Sequence, residues 1–123
     1  MKVLIVDDSS DARFLLRKRL ESRKQFQVVG EAASGIDAVE QVEALRPDLV
    51  IMDISMPGMD GVEATRLIKE RFPATSVLAL SSFDDDEHVA AMCNAGAVGY
   101  VLKNASQEEL IMCLQDSQGR LVG

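Results

Sequence analysis

Strand-like and helix-like segments alternate five times along the chain. Apolar runs predict five strands, at residues 3–6, 26–32, 49–52, 77–80 and 98–102. The first, third and fourth runs are continuously apolar, which is typical of strands buried on both faces of a parallel sheet. Gln27 and Glu31 interrupt the second run, which therefore suits the edge of a sheet.

Apolar residues at helical spacing follow each strand, and helix-boundary residues separate the segments. Ser9 or Ser10 offers an N-cap for the first helix, and Ser34 opens the second. Gly96 stops the fourth helix, and Ser106 begins a capping box for the last.

This strict alternation predicts an α/β fold in which right-handed crossovers join parallel strands and helices cover both faces of the sheet. The three most apolar strands should be central and the interrupted second strand should lie at an edge. That arrangement is the order 2-1-3-4-5 of a flavodoxin-like (βα)5 three-layer sandwich. Ligands of such folds bind outside the carboxyl ends of the strands, where the first and third strands lie side by side.

Three aspartates stand where two of the apolar strands end. Asp7 and Asp8 follow the first strand, and Asp53 follows the third. We expect the three carboxylates to converge, because parallel neighbours end at the same sheet edge. Clustered carboxylates repel one another unless a cation neutralises them, and oxygen ligands of this kind suit Mg²⁺. Any one of the three could merely cap the following helix, so the prediction of a metal site depends on the complete set.

Residues at the ends of three strands suggest phosphoryl chemistry. Asp53 is the candidate nucleophile, since a carboxylate can attack a phosphoryl group when a metal offsets the charge, forming an aspartyl phosphate. Ser81 could donate a hydrogen bond to a phosphoryl oxygen, and Lys103 could pair with Asp53 and then with the phosphate. Taken singly, such a serine is usually a turn residue and such a lysine a solvated surface charge.

The composition limits the classes of protein that fit. The chain has 123 residues, 47% of them hydrophobic and 27% charged, which predicts one soluble globular domain over residues 1–123. The net charge of −7 argues against direct nucleic-acid binding. No apolar run approaches the ~20 residues of a membrane span, and no secretory signal fits, so we predict a cytoplasmic protein without a membrane partner. Cys93 and Cys113 are predicted to be reduced and mostly buried.

In this order, the residues resemble the receiver domain of two-component response regulators. The motifs are residues 6–8 (VDD), residues 52–61 (MDISMPGMDG), Ser81 and Lys103. The resemblance extends from residue 3 to about residue 114. Residues 95–100 (AGAVGY) and 103–106 (KNAS) are most similar to receivers at the N-terminus of LuxR/NarL-type helix-turn-helix transcription regulators.

The resemblance implies that Asp53 accepts a phosphoryl group from a sensor histidine kinase. It assigns Mg²⁺ to Asp7, Asp8, Asp53 and the backbone carbonyl of Ser55. Ser81 and Lys103 would bind phosphoryl oxygens. Tyr100 would be the aromatic residue whose rotation accompanies a shift of Ser81, although by itself it fits an ordinary edge-strand aromatic. The protein would then be a regulatory phosphoacceptor that switches an output such as transcription, rather than an enzyme acting on external substrates.

Three other functions remain open. A phosphatase or phosphotransferase with an aspartyl-phosphate intermediate commonly needs a second aspartate two residues after the nucleophile, where Ser55 stands. A cofactor-binding flavodoxin-like module needs a glycine- or hydroxyl-rich phosphate loop where Asp7 and Asp8 stand. A phosphorylation-independent interaction module is also compatible with the sequence.

The output of such a receiver is expected outside this chain. Residues 118–123 are too few for a DNA-binding domain, which leaves a stand-alone receiver or a fragment of a longer regulator. The resemblance to LuxR/NarL-type receivers favours a fragment whose parent has a C-terminal DNA-binding domain. DNA would be contacted only through that domain, and a homodimer is left open.

Overall fold

The computed structural model describes residues 1–54, 61–81 and 86–122, with side chains at all of these except 86 and 116–122. The strands are β1 (Lys2–Val6), β2 (Gln27–Ala32), β3 (Leu49–Asp53), β4 (Ser76–Ser81) and β5 (Gly99–Leu102). The helices are α1 (Ser10–Glu21), α2 (Gly35–Leu45), α3 (Gly61–Arg71), α4 (Asp86–Ala95) and α5 (Gln107–Val122).

The five described strands form one parallel sheet in the order β2-β1-β3-β4-β5. This confirms the predicted flavodoxin-like topology, including the central position of the three most apolar strands. β3 and β4 are buried at every residue, whereas β2 is mostly half-buried. Edge strands contact neighbours on one side only, which is why polar residues are tolerated in β2.

Two apolar cores lie on opposite faces of the sheet and complete the three layers. On one face, α1 and α5 contribute Leu16, Leu20, Leu110, Ile111 and Leu114. On the other face, α2, α3 and α4 contribute Ala38, Val39, Val42, Ala64, Ile68 and Met92. Alternate residues of each central strand point to opposite cores, as the period of a strand requires.

The helix boundaries follow the predicted capping residues. The hydroxyls of Ser9, Ser34 and Ser106 each accept a hydrogen bond from the backbone amide three residues later. These bonds satisfy amides that have no partner within the first helical turn. α4 ends at Ala95, and the following Gly96 has a φ of 114°, which a residue with a side chain rarely adopts.

The prediction of buried cysteines is wrong for Cys93. Its side chain is exposed, and that of Cys113 is half-buried. Met92 is the residue of α4 that reaches the core with no exposed surface. Successive helical residues are turned about 100° from each other, so the residue after Met92 points away from the core.

No helix within the described ranges is both long enough and apolar enough to cross a bilayer.

Candidate functional site

The carboxyl ends of β1, β3, β4 and β5 bring the predicted site residues to one edge of the sheet. Asp7 and Asp8 directly follow β1, and Asp53 is the last residue of β3. Carboxylate oxygens of these three residues lie within 4.8 Å of one another. The predicted convergence of the aspartates is therefore present in the structure. The parallel pairing of β1 with β3 produces it, because Val6 is opposite Met52.

Two of the three carboxylates are buried. Asp7 and Asp53 are each 2% exposed, whereas Asp8 is exposed to solvent. One oxygen of Asp7, Oδ1, accepts a hydrogen bond of 2.9 Å from the amide of Ser9. Within the described part of the chain, the other oxygen, Oδ2, has no hydrogen-bond partner. A buried carboxylate oxygen without a donor is costly unless a cation or solvent occupies the space beside it.

Burial raises the pKa of Asp7 above its ordinary value. The negative charge of Asp53 raises that pKa further, while the amide of Ser9 and the ammonium of Lys103 oppose the shift. The pocket therefore disfavours the ionised form of Asp7 in the absence of a metal.

The residues present fit a hard divalent cation. The donor set consists of carboxylate oxygens, and one of them, Asp7 Oδ2, lacks any hydrogen-bond donor among the described residues. Oxygen donors without nitrogen or sulfur suit Mg²⁺ rather than zinc or copper. A metal charge would also relieve the repulsion that raises the pKa of Asp7.

A cation from β5 completes the charge pattern. Lys103 follows β5, and its Nζ lies 3.2 Å from Oδ1 of Asp53. Its backbone amide donates a hydrogen bond of 2.8 Å to the carbonyl of Ser81, which holds the ends of β4 and β5 together. The lysine side chain is 38% exposed, so its ammonium faces both the buried carboxylate and solvent.

Ser81 and Tyr100 occupy contrasting positions on neighbouring strands. Ser81 is the last residue of β4 and is fully buried, and its hydroxyl has no hydrogen-bond partner in the described ranges. Tyr100 lies in β5 opposite Ala79, and its side chain is half exposed. The alternation of strand residues places Tyr100 on the sheet face that Ala79 and Ser81 share.

One predicted ligand cannot be compared with the structure. Ser55, whose backbone carbonyl the resemblance assigns to Mg²⁺, lies outside the described residues.

Two residues that the sequence did not single out contact the site through its backbone. Arg13 Nη1 donates a hydrogen bond of 2.6 Å to the carbonyl oxygen of Asp7. Gly61 begins α3 so close to β3 that a Cβ there would lie 2.8 Å from the carbonyl oxygen of Asp53. The sequence offered one indirect sign of Arg13: Glu31, a charged residue inside the second strand, needs a cationic partner, and Arg13 is such a partner in the structure. Gly61 lay within the motif without a role of its own.

Comparison with known proteins identifies this arrangement. The family model of the response regulator receiver domain matches residues 3–115. The chain belongs to this family. The receiver is 32% identical to a solved two-component response regulator of the LuxR family from Aurantimonas, with a TM-score of 0.89, covering 96% of this chain and 85% of that one.

Curated relatives of the receiver are regulators. It is 43% identical over 115 residues to the uncharacterized transcriptional regulatory protein YhcZ of Bacillus subtilis, covering 94% of the chain and 54% of that protein. It is 41% identical over 116 residues to the oxygen regulatory protein NreC of Staphylococcus epidermidis, covering 94% and 53%. The receiver thus spans about half the length of the curated relatives it matches. The predicted receiver family and its LuxR/NarL-type subgroup are confirmed.

Proposed function

We propose that this receiver is switched by phosphorylation of Asp53, with a sensor histidine kinase as the phosphoryl donor. The observation that carries the proposal is the buried Asp53 carboxylate, placed between two further carboxylates and the Lys103 ammonium at 3.2 Å. A metal can make a carboxylate in this position nucleophilic, and the Lys103 ammonium is close enough to pair with the transferred phosphate.

In the proposed step, a carboxylate oxygen of Asp53 attacks the phosphorus of a phosphohistidine. The new bond is an acyl phosphate O–P bond, and the P–N bond breaks with its electron pair leaving on the imidazole. Asp7, Asp8, Asp53 and the backbone carbonyl of Ser55 would hold Mg²⁺. When bound, that ion supplies positive charge against the repulsion between carboxylate and phosphoryl oxygens.

Two side chains of the receiver are suited to bind the transferred group. Lys103 already pairs with Asp53. Once Asp53 has become an acyl phosphate and lost its carboxylate charge, the Lys103 ammonium can pair with the phosphoryl oxygens instead. The buried hydroxyl of Ser81, which lacks a partner among the described residues, can donate a hydrogen bond to the same group.

The same hydroxyl would connect phosphorylation to the surface. A shift of Ser81 toward the phosphoryl group would change the space beside it on the sheet face that it shares with Tyr100. Rotation of the half-exposed Tyr100 into that space would alter the surface formed by α4, β5 and α5. This is a local charge change biasing an element with two arrangements.

We place the output of the switch in the remainder of a longer protein. YhcZ and NreC are regulators about twice as long as the matched region, since that region spans 54% of one and 53% of the other. Residues 1–123 would be the single receiver domain, with a C-terminal DNA-binding domain controlling transcription. The acidic receiver would contact DNA only through that domain, would act in the cytoplasm and could pair with a second copy.

Phosphorylation by acetyl phosphate tests the proposal. Incubation with acetyl phosphate and Mg²⁺ should add one phosphoryl group, detected by phosphate-affinity electrophoresis and intact mass. Asp53→Asn should abolish the addition. Asp11→Asn removes the same charge from an exposed position of α1 and should leave it unchanged. Full modification of Asp53→Asn, or an unmodified wild-type protein, would contradict the proposal.

A further inference from the structure

We infer that Arg13 is a positioning residue of the acidic pocket: its guanidinium holds the peptide carbonyl between Asp7 and Asp8 and thereby strengthens Mg²⁺ binding. The inference deepens the proposed function and rests on it, because it assumes that the pocket binds Mg²⁺.

Arg13 uses two sides of its guanidinium at once. Nη1 donates to the carbonyl oxygen of Asp7 at 2.6 Å, and Nε donates to Oε1 of Glu31 at 2.9 Å. The arginine side chain is only 17% exposed, so both bonds are partly shielded from water. A guanidinium can serve two acceptors in a fixed geometry, which a lysine ammonium on a flexible stem cannot reproduce.

The carbonyl that Arg13 holds belongs to the peptide bond that links Asp7 to Asp8. That peptide is planar, so fixing its carbonyl also fixes the direction of the Asp8 amide. The amide of Asp7 is itself bonded to the carbonyl of Ala32 in β2, at 3.0 Å. The backbone of Asp7 is therefore held at both of its polar groups.

Asp8 depends most on this backbone support. It is the exposed member of the three carboxylates, and no hydrogen bond to its side chain occurs among the described residues. The direction of its carboxylate therefore depends on the backbone that carries it, and Arg13 holds the peptide carbonyl just before it. Metal sites lose affinity when the groups that orient their ligands are removed.

The positive charge of Arg13 is balanced locally. Glu31 accepts from Arg13 with one oxygen and from Arg17 Nε with the other, at 2.8 Å. Lys103, whose Nζ lies 3.2 Å from the neighbouring Asp53, lowers the pKa of the Asp7 carboxyl by its charge. Arg13 thus contributes orientation to the pocket rather than a charge that would compete with the metal.

Arg17 provides a matched control. It is an arginine on the same helix, bonded to the same glutamate, and within the described residues its polar contacts are with Glu31 and Glu21. Replacing Arg17 by methionine removes a cation and an ion pair of α1 without removing the bond to Asp7.

The test is a titration of the receiver with Mg²⁺, followed by the backbone amide signals of Asp7 and Asp8 in ¹H–¹⁵N NMR spectra. Arg13→Met should raise the Mg²⁺ dissociation constant about tenfold, the low end of the effect of removing ligand-orienting groups. Arg17→Met should leave the constant within a factor of about two, because the ligand loop keeps its support. Arg13→Lys, which keeps the charge and one donor, should fall between wild type and Arg13→Met.

Phosphorylation kinetics distinguish a weakened Mg²⁺ site from a general loss of folded structure. In Arg13→Met the rate with acetyl phosphate should be reduced at low Mg²⁺ and recover at saturating Mg²⁺. Unfolding midpoints without Mg²⁺ show whether each variant is folded, and Arg13→Lys replaces Arg13→Met if the latter is not. An unchanged Mg²⁺ constant in the Arg13 variant, or an equal shift in Arg17→Met, would overturn the inference. A wild-type receiver that binds no Mg²⁺ would instead contradict the proposed function.

Discussion

At the residue scale, Asp7 places a carboxyl group where the fold disfavours its ionised form. It is buried beside Asp53, and one of its oxygens lacks a hydrogen-bond donor among the described residues. The pocket thus has a local instability that a bound cation would remove. This conflict between stability and site chemistry is common where ligands bind.

Asp7→Asn should stabilise the metal-free receiver at neutral pH by about 1–2 kcal/mol, because it removes a buried charge while keeping the acceptor for the Ser9 amide. The folded-state pKa of Asp7 is raised, so the native state binds that proton more tightly than the unfolded state. The associated stability is fully present below the ordinary aspartate pKa and is lost as pH rises through the raised pKa.

Urea denaturation of wild type and Asp7→Asn in EDTA, between about pH 4 and pH 7, measures this difference. The advantage of the variant should grow as pH rises. An advantage that shrinks with rising pH would show that Asp7 is stabilised as an anion without metal.

Gly61 sets the clearance between α3 and the phosphoacceptor strand. A Cβ at Gly61 would lie 2.8 Å from the Asp53 carbonyl oxygen and 3.1 Å from Cα of Ile54. In Gly61→Ala, the start of α3 must therefore move away from the backbone of Asp53 and Ile54. We expect the variant to lose about 1–3 kcal/mol of stability and to be phosphorylated more slowly at Asp53.

Gly99→Ala is the control for this substitution. Among the described residues, a Cβ at Gly99 would meet only Cδ1 of Leu78, at an ordinary 3.7 Å. Thermal unfolding and acetyl phosphate kinetics should therefore be close to wild type for Gly99→Ala. Equal effects of the two alanines would refute a specific role for the α3–β3 approach.

At the scale of elements, an ion-pair network attaches the edge strand β2 to α1. Glu31 accepts hydrogen bonds from Arg13 and Arg17, one on each carboxylate oxygen. Burial would raise the pKa of Glu31, but the bonds from Arg17 and Arg13 outweigh it, and the pKa is lowered. The stability linked to this glutamate is thus present above its ordinary pKa and is lost as pH falls through the lowered value.

Glu31→Gln should cost about 1 kcal/mol at neutral pH, since the pairs are only partly shielded from solvent. The difference from wild type should vanish in acid, where both chains are neutral at this position. Glu21→Gln, which breaks the more exposed pair with Arg17, should have little effect. Denaturant unfolding at neutral pH and in acid measures whether the ion pairs of Glu31 stabilise the edge strand β2. A loss of stability in Glu31→Gln that is equally large in acid would contradict this role.

At the scale of the whole molecule, metal binding should be visible as folding stability. A ligand that binds only the native state stabilises it in proportion to the logarithm of its concentration. Mg²⁺ at ten times its dissociation constant should add about 1.4 kcal/mol to the free energy of unfolding. Calorimetry with Mg²⁺ and then with EDTA measures the gain and its reversal.

Two variants show whether Mg²⁺ in the acidic pocket causes this gain in the free energy of unfolding. Asp8→Asn should lose most of the Mg²⁺ stabilisation, because the exposed carboxylate is one of the three converging ligands. Asp11→Asn, which changes an exposed acid on α1, should retain it. A gain that survives in Asp8→Asn would place the ion elsewhere on this acidic protein.

The sequence was sufficient to predict the alternation of elements, the central strands and the strand ends that carry Asp7, Asp8, Asp53, Ser81 and Lys103. Those features follow from the periods of strands and helices and from the rule that parallel strands end at one edge. Even the edge position of β2 was readable from Gln27 and Glu31.

The sequence could not predict which described groups of the pocket lack hydrogen-bond partners or which distant residues support the pocket. The bond from Arg13 to the Asp7 carbonyl, the approach of Gly61 to Asp53 and the exposure of Cys93 depend on how helices pack against the sheet. Local periodicity shows which face of an element is apolar. The atoms that meet across two elements are fixed by packing, which no short stretch of sequence specifies.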